Sequence, residues 1–323
     1  MRKMLIVIDR IELKYFEFNQ LVTNFWMIKG LLENGVETYI TTIDNLSLKN
    51  GKGCAKCYRT YEKDNDIFYD KELTDFILED FEKIFFRPDP PVDSDYINAT
   101  YIFDFVDRNK TQIINDTRAI RDFNEKLHAN LFREYMPENI VTASKDEIED
   151  FLEIRNEIIL KPLNNCFGSG VMYLKKGDKN TLSIIKTLTN NFKSICMVQK
   201  YIPQVQYGDK RVIILNGEVL DECVLKTPTK DDFKFNTHSD EYLKKAVLTE
   251  SEKEKFTVVA KGLQKLGITM AGLDVVDEKI LEINVTSPCF FIKEINERFS
   301  TRIDEKLNAF MLETNVKTNN VVL

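Results

Sequence analysis

The sequence predicts an α/β protein, and three observations carry that prediction. Between Met4 and Asn115, short apolar runs alternate with helical segments, the pattern of strand–helix–strand units. Beyond that region, apolar runs follow one another across turn residues, as at Asn216-Gly217, where a hairpin is expected. Third, the stretch Gly272 to Val285 sets two β-branched runs on either side of Asp277-Glu278-Lys279, which reads as a hairpin with a three-residue loop.

Composition narrows the class. A chain of 323 residues exceeds one ordinary core, so two or three subdomains are expected. Hydrophobic content of 43% and charged content of 30% describe a soluble globular protein, and no apolar run approaches the ~20 residues of a membrane span. The opening Met1-Arg2-Lys3-Met4-Leu5-Ile6-Val7-Ile8-Asp9 is too short in its apolar part for a signal peptide and reads as a first strand. A net charge of -7 argues against a nucleic-acid surface, while leaving room for local basic groups that hold a small anion. The six cysteines are scattered, which points to reduced thiols and a cytoplasmic protein. Cys54 and Cys57 have the CxxC spacing but no second ligand pair, so a surface loop is expected there rather than a zinc or redox site. The only histidines, His128 and His238, are far apart, which disfavours a histidine triad.

Taken in order, Leu5 to Ile8 is a strand, and a helix around Leu21 to Glu33 closes at Asn34-Gly35. Glu37 to Thr41 is the next strand. Lys49 to Asp66, polar with Gly51 and Gly53, reads as a hairpin or loop excursion. Ile84-Phe85-Phe86 runs into Arg87-Pro88-Asp89-Pro90-Pro91, where prolines end the strand and stiffen the loop. Ligands bind beyond the carboxyl ends of strands in open parallel sheets, so Arg87 and Asp89 are candidate substrate contacts; a rigid structural loop is the other reading. A helix over Tyr96 to Arg108 and a strand at Gln112 to Asn115 complete this region.

Asn124-Glu125-Lys126-Leu127 then reads as part of a helix, with Lys126 either functional or one of many solvated lysines. Glu157 to Leu163 is a strand whose apolar part ends at Lys161-Pro162, where a lysine can meet a phosphate as a point charge. The loop after it carries Gly168 and Gly170, and such loops can offer N–H groups to phosphate oxygens, though most are plain turns. Further expected elements are a strand at Met172 to Leu174, a helix at Leu182 to Asn190, a strand from Cys196 ending at Pro203 and a strand from Gly208 to Leu215. Alternation sends Lys210 and Arg211 to opposite faces of that last strand. Thr227 to Lys245 reads as a long polar connection, and Thr249 to Leu266 as a helix ending at Gly267.

A hairpin loop centred on Glu278 sets Asp274 opposite Glu282, Val275 opposite Leu281 and Val276 opposite Ile280. Asp274, Glu282 and Asn284 then share one face, with Leu273, Val275, Leu281 and Ile283 on the other. Two adjacent carboxylates repel unless a cation joins them, and an all-oxygen set suits Mg²⁺; a solvated acidic face is the alternative.

The ordered set Asn124-Glu125-Lys126-Leu127, Ile159-Leu160-Lys161-Pro162-Leu163, Gln199-Lys200-Tyr201-Ile202-Pro203, Gly208-Asp209-Lys210-Arg211-Val212, Gly272-Leu273-Asp274 and Leu281-Glu282-Ile283-Asn284-Val285-Thr286-Ser287-Pro288 resembles the bacterial-type glutathione synthetases of the ATP-grasp superfamily. Arg87-Pro88-Asp89-Pro90-Pro91 and Asn98-Ala99-Thr100-Tyr101-Ile102 resemble that family's N-terminal domain. The resemblance implies an ATP-grasp fold behind a Rossmann-like pre-ATP-grasp domain. It divides the chain into an N-terminal domain at 1–120, a lid subdomain at 121–203 and a C-terminal subdomain with the metal site at 204–323.

The resemblance further implies ATP-dependent ligation of γ-glutamylcysteine to glycine through an acyl phosphate, by a homo-oligomer, tetramer or dimer. An ATP-grasp ligase for another acid and amine, or a nucleotide-binding homologue without chemistry, are the alternatives. Lys126 and Lys161 match lysines that hold ATP phosphates, with Gly168 in the covering loop. Gln199, Lys200, Tyr201 and Ile202 match the segment around adenine, and Asp209 matches a nucleotide-contacting acid. Asp274, Glu282 and Asn284 match the ligands of Mg²⁺, with Mn²⁺ as a substitute. Arg211 matches the arginine at the reacting carboxylate, and Arg87, Lys226, Lys234, Asn236 and Ser287 are the implied substrate contacts. Two segments depart from the family's pattern: Asn165-Cys166-Phe167 stand where consecutive glycines are usual, and the second lid carries lysines and acids where arginines and glycines are usual.

Overall fold

A computed structural model of the chain describes residues 2–9, 20–166, 168–228 and 242–313. Its strands form three sheets in chain order. The first contains β1 (Lys3–Ile8), β2 (Glu37–Thr42), β3 (Leu46–Lys49), β4 (Lys52–Lys63), β5 (Asp66–Tyr69), β6 (Thr74–Ile77), β7 (Lys83–Phe86) and β8 (Gln112–Ile114). Its path is β3-β4-β2-β1-β7-β8, with β5 and β6 paired to β4. The β1–β2, β1–β7 and β7–β8 pairs are parallel, as the strand–helix alternation predicts. Helices α1 (Thr23–Glu33) and α2 (Ser94–Ile102) belong to this region, and β1 is fully apolar from Met4 to Ile8 because both its faces are buried.

The excursion after residue 49 is not a loop. Lys49 pairs with Lys52 across Asn50 and Gly51, both at positive φ, the two-residue turn whose twist suits a hairpin. Strand β4 then pairs with β2, β3, β5 and β6, and Cys54 and Cys57 lie buried on it rather than on the surface. Burial pushes the Cys57 thiol well above its ordinary value, which suits an inert core residue.

After α3 (Thr117–Asp122), the segment Asn124 to Leu127 is a turn, not a helix. The Asn124 side chain accepts from the N–H groups of Lys126 and Leu127 at 3.1 and 2.9 Å, a local alternative to helical bonding. A 3₁₀ segment, His128–Tyr135, follows. The second sheet, in the order β11-β10-β12-β9, is antiparallel: β9 (Asn139–Thr142), β10 (Glu157–Pro162), β11 (Met172–Lys175) and β12 (Cys196–Lys200). Helices α4 (Lys145–Arg155) and α5 (Thr181–Leu188) cover it through Ile148, Leu152 and Ile185, packed on Ile158, Leu160 and Val198.

The third sheet runs β16-β15-β13-β17-β18, with β14 on β13: β13 (Asp209–Leu215), β14 (Glu218–Val219), β15 (Glu222–Lys226), β16 (Leu243–Val247), β17 (Met270–Val276) and β18 (Lys279–Asn284). The polar connection expected from Thr227 to Lys245 therefore ends early, because Leu243 to Val247 pair with β15. One face of the sheet packs Val212, Leu273, Val275 and Ile283 against Phe256, Val259 and Leu263 of α6 (Glu250–Lys265). That helix begins with a reciprocal Thr249/Glu252 cap. Helix α7 (Ile292–Phe299) lies against β15 and β16 of the third sheet, and α8 (Ile303–Leu312) lies against α1. There Lys83 donates to the carbonyls of Met311 at 2.9 Å and of Glu313, placing a cation at the end of α8.

Candidate active site

The face of the third sheet away from α6 is apolar and buried at Ile213, Leu215 and Val224, and beyond them it carries a lattice of opposite charges laid out by the pleat. Asp209 pairs directly with Lys226, Arg211 with Asp274, and Asp274 with Glu282. Alternation puts Asp209 and Arg211 on one face of β13 and throws Lys210 to the other, where it meets Glu252 of α6 at 2.7 Å. The expected split of Lys210 and Arg211 is what the structure has.

The hairpin itself is built differently from the expectation. Asp274 does face Glu282, but Val275 pairs with Ile280 and Val276 with Lys279, across a two-residue turn at Asp277 and Glu278 with φ of 50° and 60°. The register shift between Asp274 and Val275 leaves Leu281 as a bulge residue. The turn type forces this, because a two-residue turn with positive φ at both positions matches strand twist better than a three-residue loop. The bulge has a consequence for the site: Lys161 donates to the Leu281 carbonyl at 3.4 Å.

Around this face the ionic contacts are close. Arg211 donates to both oxygens of Asp274 at 2.9 and 3.2 Å, and to the Cys289 carbonyl at 3.1 Å. Lys226 lies 2.8 Å from Asp209 and 2.9 Å from Asp274. Asn284 donates to Asp274 at 3.0 Å. Gly272, the residue opposite Asn284, leaves room for the arginine: a Cβ there would stand 3.1 Å from Arg211 Cδ. Gly208 is required for a second reason, since φ is 119° and a Cβ would come within 2.5 Å of the Lys226 carbonyl oxygen.

From the second sheet come Lys161 and Gln199, two positions apart across the β10–β12 pairing and on one face; Lys161 donates to Gln199 Oε1 at 2.8 Å. Gln199 Nε2 is buried with no hydrogen-bond partner among the described residues. From the intervening turn comes Lys126, which donates to Glu282 at 2.8 Å and to the Asn165 carbonyl at 2.7 Å. The expected phosphate lysines, metal ligands, Arg211, Asp209 and Lys226 thus converge between the second and third sheets. Lys200, Tyr201 and Ile202 follow at the end of β12, with the Tyr201 ring edge-on to Tyr173 at 5.1 Å. Gly168 lies in the preceding loop at φ 67°.

Arg87 sits apart from the lattice, buried and donating to Asn24 at 2.8 Å and to the Pro288 carbonyl at 3.0 Å. It therefore ties the first sheet to the loop after β18. Ser287 in that loop hydrogen-bonds Asp89, whose carboxyl burial raises. Lys234 and Asn236 lie outside the described residues. Sequence reasoning missed Glu125 and Asn24; neither carries a spacing signal, because each meets partners distant in sequence.

The electrostatics follow from these contacts. Burial alone would raise the Asp274 carboxyl, but Arg211 and Lys226 more than offset it and hold it well below the usual carboxylate range. For Asp209 burial wins over Lys226, and its carboxyl is pushed up to about 6. Burial lowers the Lys161 ammonium to about 8, against the pull of Glu282. The phosphate contact that the resemblance implies for Lys161 needs this lysine charged. The kcat/KM for ATP is accordingly expected to be flat below about pH 8 and to fall roughly tenfold per unit above it. In the nucleotide complex the phosphate charge raises the lysine, so the kcat limb shifts to higher pH. Initial rates across pH 6.5–10 check this, and coincident limbs would exclude Lys161.

Among the described residues no three His, Cys, Asp or Glu side chains cluster as a metal site. The donor set is instead two carboxylates, Asp274 and Glu282, with the Asn284 amide, on neighbouring positions of one ribbon. Oxygen donors of this kind fit Mg²⁺; Asp274 meets Arg211 and Lys226, Glu282 meets Lys126, and the Asn284 amide nitrogen donates to Asp274.

The family model described as prokaryotic glutathione synthetase, ATP-grasp domain, matches residues 125–300, and the one described as prokaryotic glutathione synthetase, N-terminal domain, matches residues 3–121. The chain belongs to the prokaryotic glutathione synthetase family. Within it, the glutathione synthetase of Nostoc sp. is 37% identical over 243 residues, spanning 75% of this chain and 74% of the relative. That of Vibrio cholerae is 33% identical over 287 residues, 88% of this chain and 90% of the relative. A solved structure of the ATP-grasp ligase PsnB, complexed with minimal precursor, Mg and ADP, aligns with a TM-score of 0.60 over 96% of this chain and 98% of that one, at 15% identity. That likeness carries the fold, which is ATP-grasp. Family and fold together make the chain an ATP-dependent carboxylate–amine ligase. No helix among the described residues is long and apolar enough to cross a membrane.

Proposed function

We propose that this chain joins γ-glutamylcysteine to glycine, with ATP converted to ADP and phosphate. The observation that carries the reading is the convergence of Lys126, Lys161 and Arg211 with the Asp274–Glu282–Asn284 oxygen set between two sheets. Lys126 and Lys161 hold the phosphates of ATP, and Gln199 with Lys200, Tyr201 and Ile202 receives the adenine. The Gln199 Nε2 donor, buried without a hydrogen-bond partner among the described residues, supports that placement. Asp274, Glu282 and Asn284 would hold Mg²⁺, or Mn²⁺ in its place, which supplies positive charge to the phosphate oxygens.

Arg211 orients the cysteinyl carboxylate. One carboxylate oxygen attacks the γ-phosphorus, the bond to the β-phosphate oxygen breaks, and ADP leaves. The glycine amine then attacks the acyl carbon, loses a proton and expels phosphate, while Arg211 steadies the oxyanion. Water competes for the acyl phosphate, so the Gly168 loop excludes it; the Thr227–Lys245 connection, the second covering segment that the resemblance implies, lies largely outside the described residues. Arg87 and Ser287 face the acid substrate from the first sheet and the loop after β18. Lys226, already shared between Asp209 and Asp274, contributes charge with them, and Lys234 and Asn236 complete the set. The three sheets support the division into 1–120, 121–203 and 204–323, and a cytoplasmic homo-oligomer completes the reading.

Incubation with ATP, Mg²⁺, γ-glutamylcysteine and glycine, followed by mass analysis, is expected to yield the tripeptide with one ADP per amide bond. ADP release with another acid–amine pair, and none with this one, would transfer the site to a different substrate.

A further inference from the structure

Residue Asn284 is bracketed by a single neighbour. The Ile283 N–H donates to the Glu125 carbonyl at 3.1 Å, and the Val285 N–H donates to Glu125 Oε1 at 2.7 Å. Oε1 also accepts from the Thr286 N–H and hydroxyl, each at 3.0 Å. Strand β18 ends at Asn284, so the N–H groups beyond it have no strand partner and would be costly to bury unbonded. A carboxylate from the turn between the first and second sheets satisfies them. The Val285 carbonyl is held from the other side by Asn115 at 2.9 Å, and Asn115 also accepts from the Met270 N–H at 2.7 Å. The end of the ribbon is thus fixed on both of its backbone groups.

The residues flanking Glu125 reach in the opposite direction. Asn124 donates to the Leu163 carbonyl at 3.2 Å and to Asn164 at 3.1 Å, while Lys126 joins the Asn165 carbonyl to Glu282. Three consecutive side chains therefore hold the start of the phosphate-covering loop, one metal carboxylate, and the backbone next to the amide ligand.

We infer that Glu125 is a positioning residue: by clasping Ile283, Val285 and Thr286 it sets the Asn284 amide beside Asp274 and couples the cation ribbon to the loop over the phosphates. This rests on the magnesium–nucleotide reading above. Oxygen donors lose affinity quickly when one of them is misplaced, since Mg²⁺ demands a near-ideal shell. Glu125 touches neither nucleotide nor cation, so its effect is confined to metal-dependent binding.

Calorimetric titration of ADP, with Mg²⁺ and separately in EDTA, tests this on the full chain. Glu125→Met, which removes the acceptor, is expected to weaken Mg²⁺-dependent ADP binding about tenfold while ADP binding in EDTA moves less than twofold, and Glu125→Gln, which keeps an acceptor oxygen, is expected to restore most of the loss. Thr286→Val, which removes one donor and no backbone group, is expected to shift the same quantity in the same direction by a smaller factor. That shift vanishes when Thr286→Val is made in the Glu125→Met background. Equal losses with and without Mg²⁺, tracking the melting temperature, would overturn the assignment in favour of plain structural support. If ADP binding by the unaltered chain ignores Mg²⁺, the metal reading falls and takes this inference with it, an outcome visible before any variant is made.

Discussion

Asp274→Asn is expected to lower the unfolding free energy by about 3–5 kcal/mol and to reduce ligation by about 10²–10³ in kcat. The reason for the first figure is that Asp274 neutralises two cations at once, Arg211 at 2.9 Å and Lys226 at 2.9 Å, on a face where all three side chains are largely buried. Lys226 keeps Asp209, but Arg211 is left with only a carbonyl and an aromatic face for company among the described contacts. An uncompensated buried cation costs far more than the pair was worth. The effect is separable: Asp274→Asn combined with Arg211→Met should recover most of the stability and none of the activity. Urea unfolding midpoints and ADP release measure the two arms. A double variant no more stable than the single one would show that the carboxylate matters for something other than charge balance.

Lys161→Met should do the opposite. The kcat/KM for ATP is expected to fall by about 10²–10³, with the unfolding free energy unchanged or raised. Lys161 is buried and its charge is disfavoured there, as its lowered ammonium shows. Its protein contacts are a neutral amide and a carbonyl rather than a carboxylate within bonding distance. A methionine of similar shape removes a charge that burial disfavours and the phosphates require. Thermal unfolding beside steady-state kinetics distinguishes the readings, since parallel losses would make Lys161 a structural residue.

Local signals in this chain were legible, and their limits are physical. The pairing of Asp274 with Glu282 followed from alternation on either side of a turn, and the opposite facing of Lys210 and Arg211 needed only the pleat. The bulge at Leu281 was missed because acids at Asp277 and Glu278 give no clear warning of positive φ, which glycine or asparagine would have advertised. Asn124 to Leu127 carried helix-compatible residues, yet the Asn124 side chain captured the N–H groups that a helix would have used. Cys54 and Cys57 were expected on a surface loop because no second ligand pair accompanies them and the stretch is polar with Gly51 and Gly53 ahead of them, although the glycines serve a hairpin and a close approach of Leu78 to the strand.

Periodicity and turn chemistry act over a few residues, so the sequence alone settled the first strand–helix–strand unit, the pairing of Asp274 with Glu282 and the cations available to meet them. Which cation meets which carboxylate is a property of strands brought side by side from far apart. Glu125 and Val285 are 160 residues apart, Lys126 and Glu282 156, and Arg87 and the Pro288 carbonyl 201. Those pairings, and the burial that shifts Lys161 and Asp209 in opposite senses from their usual charge states, arise only once the sheets pack, because Coulomb attraction and desolvation depend on distance in space and not along the chain.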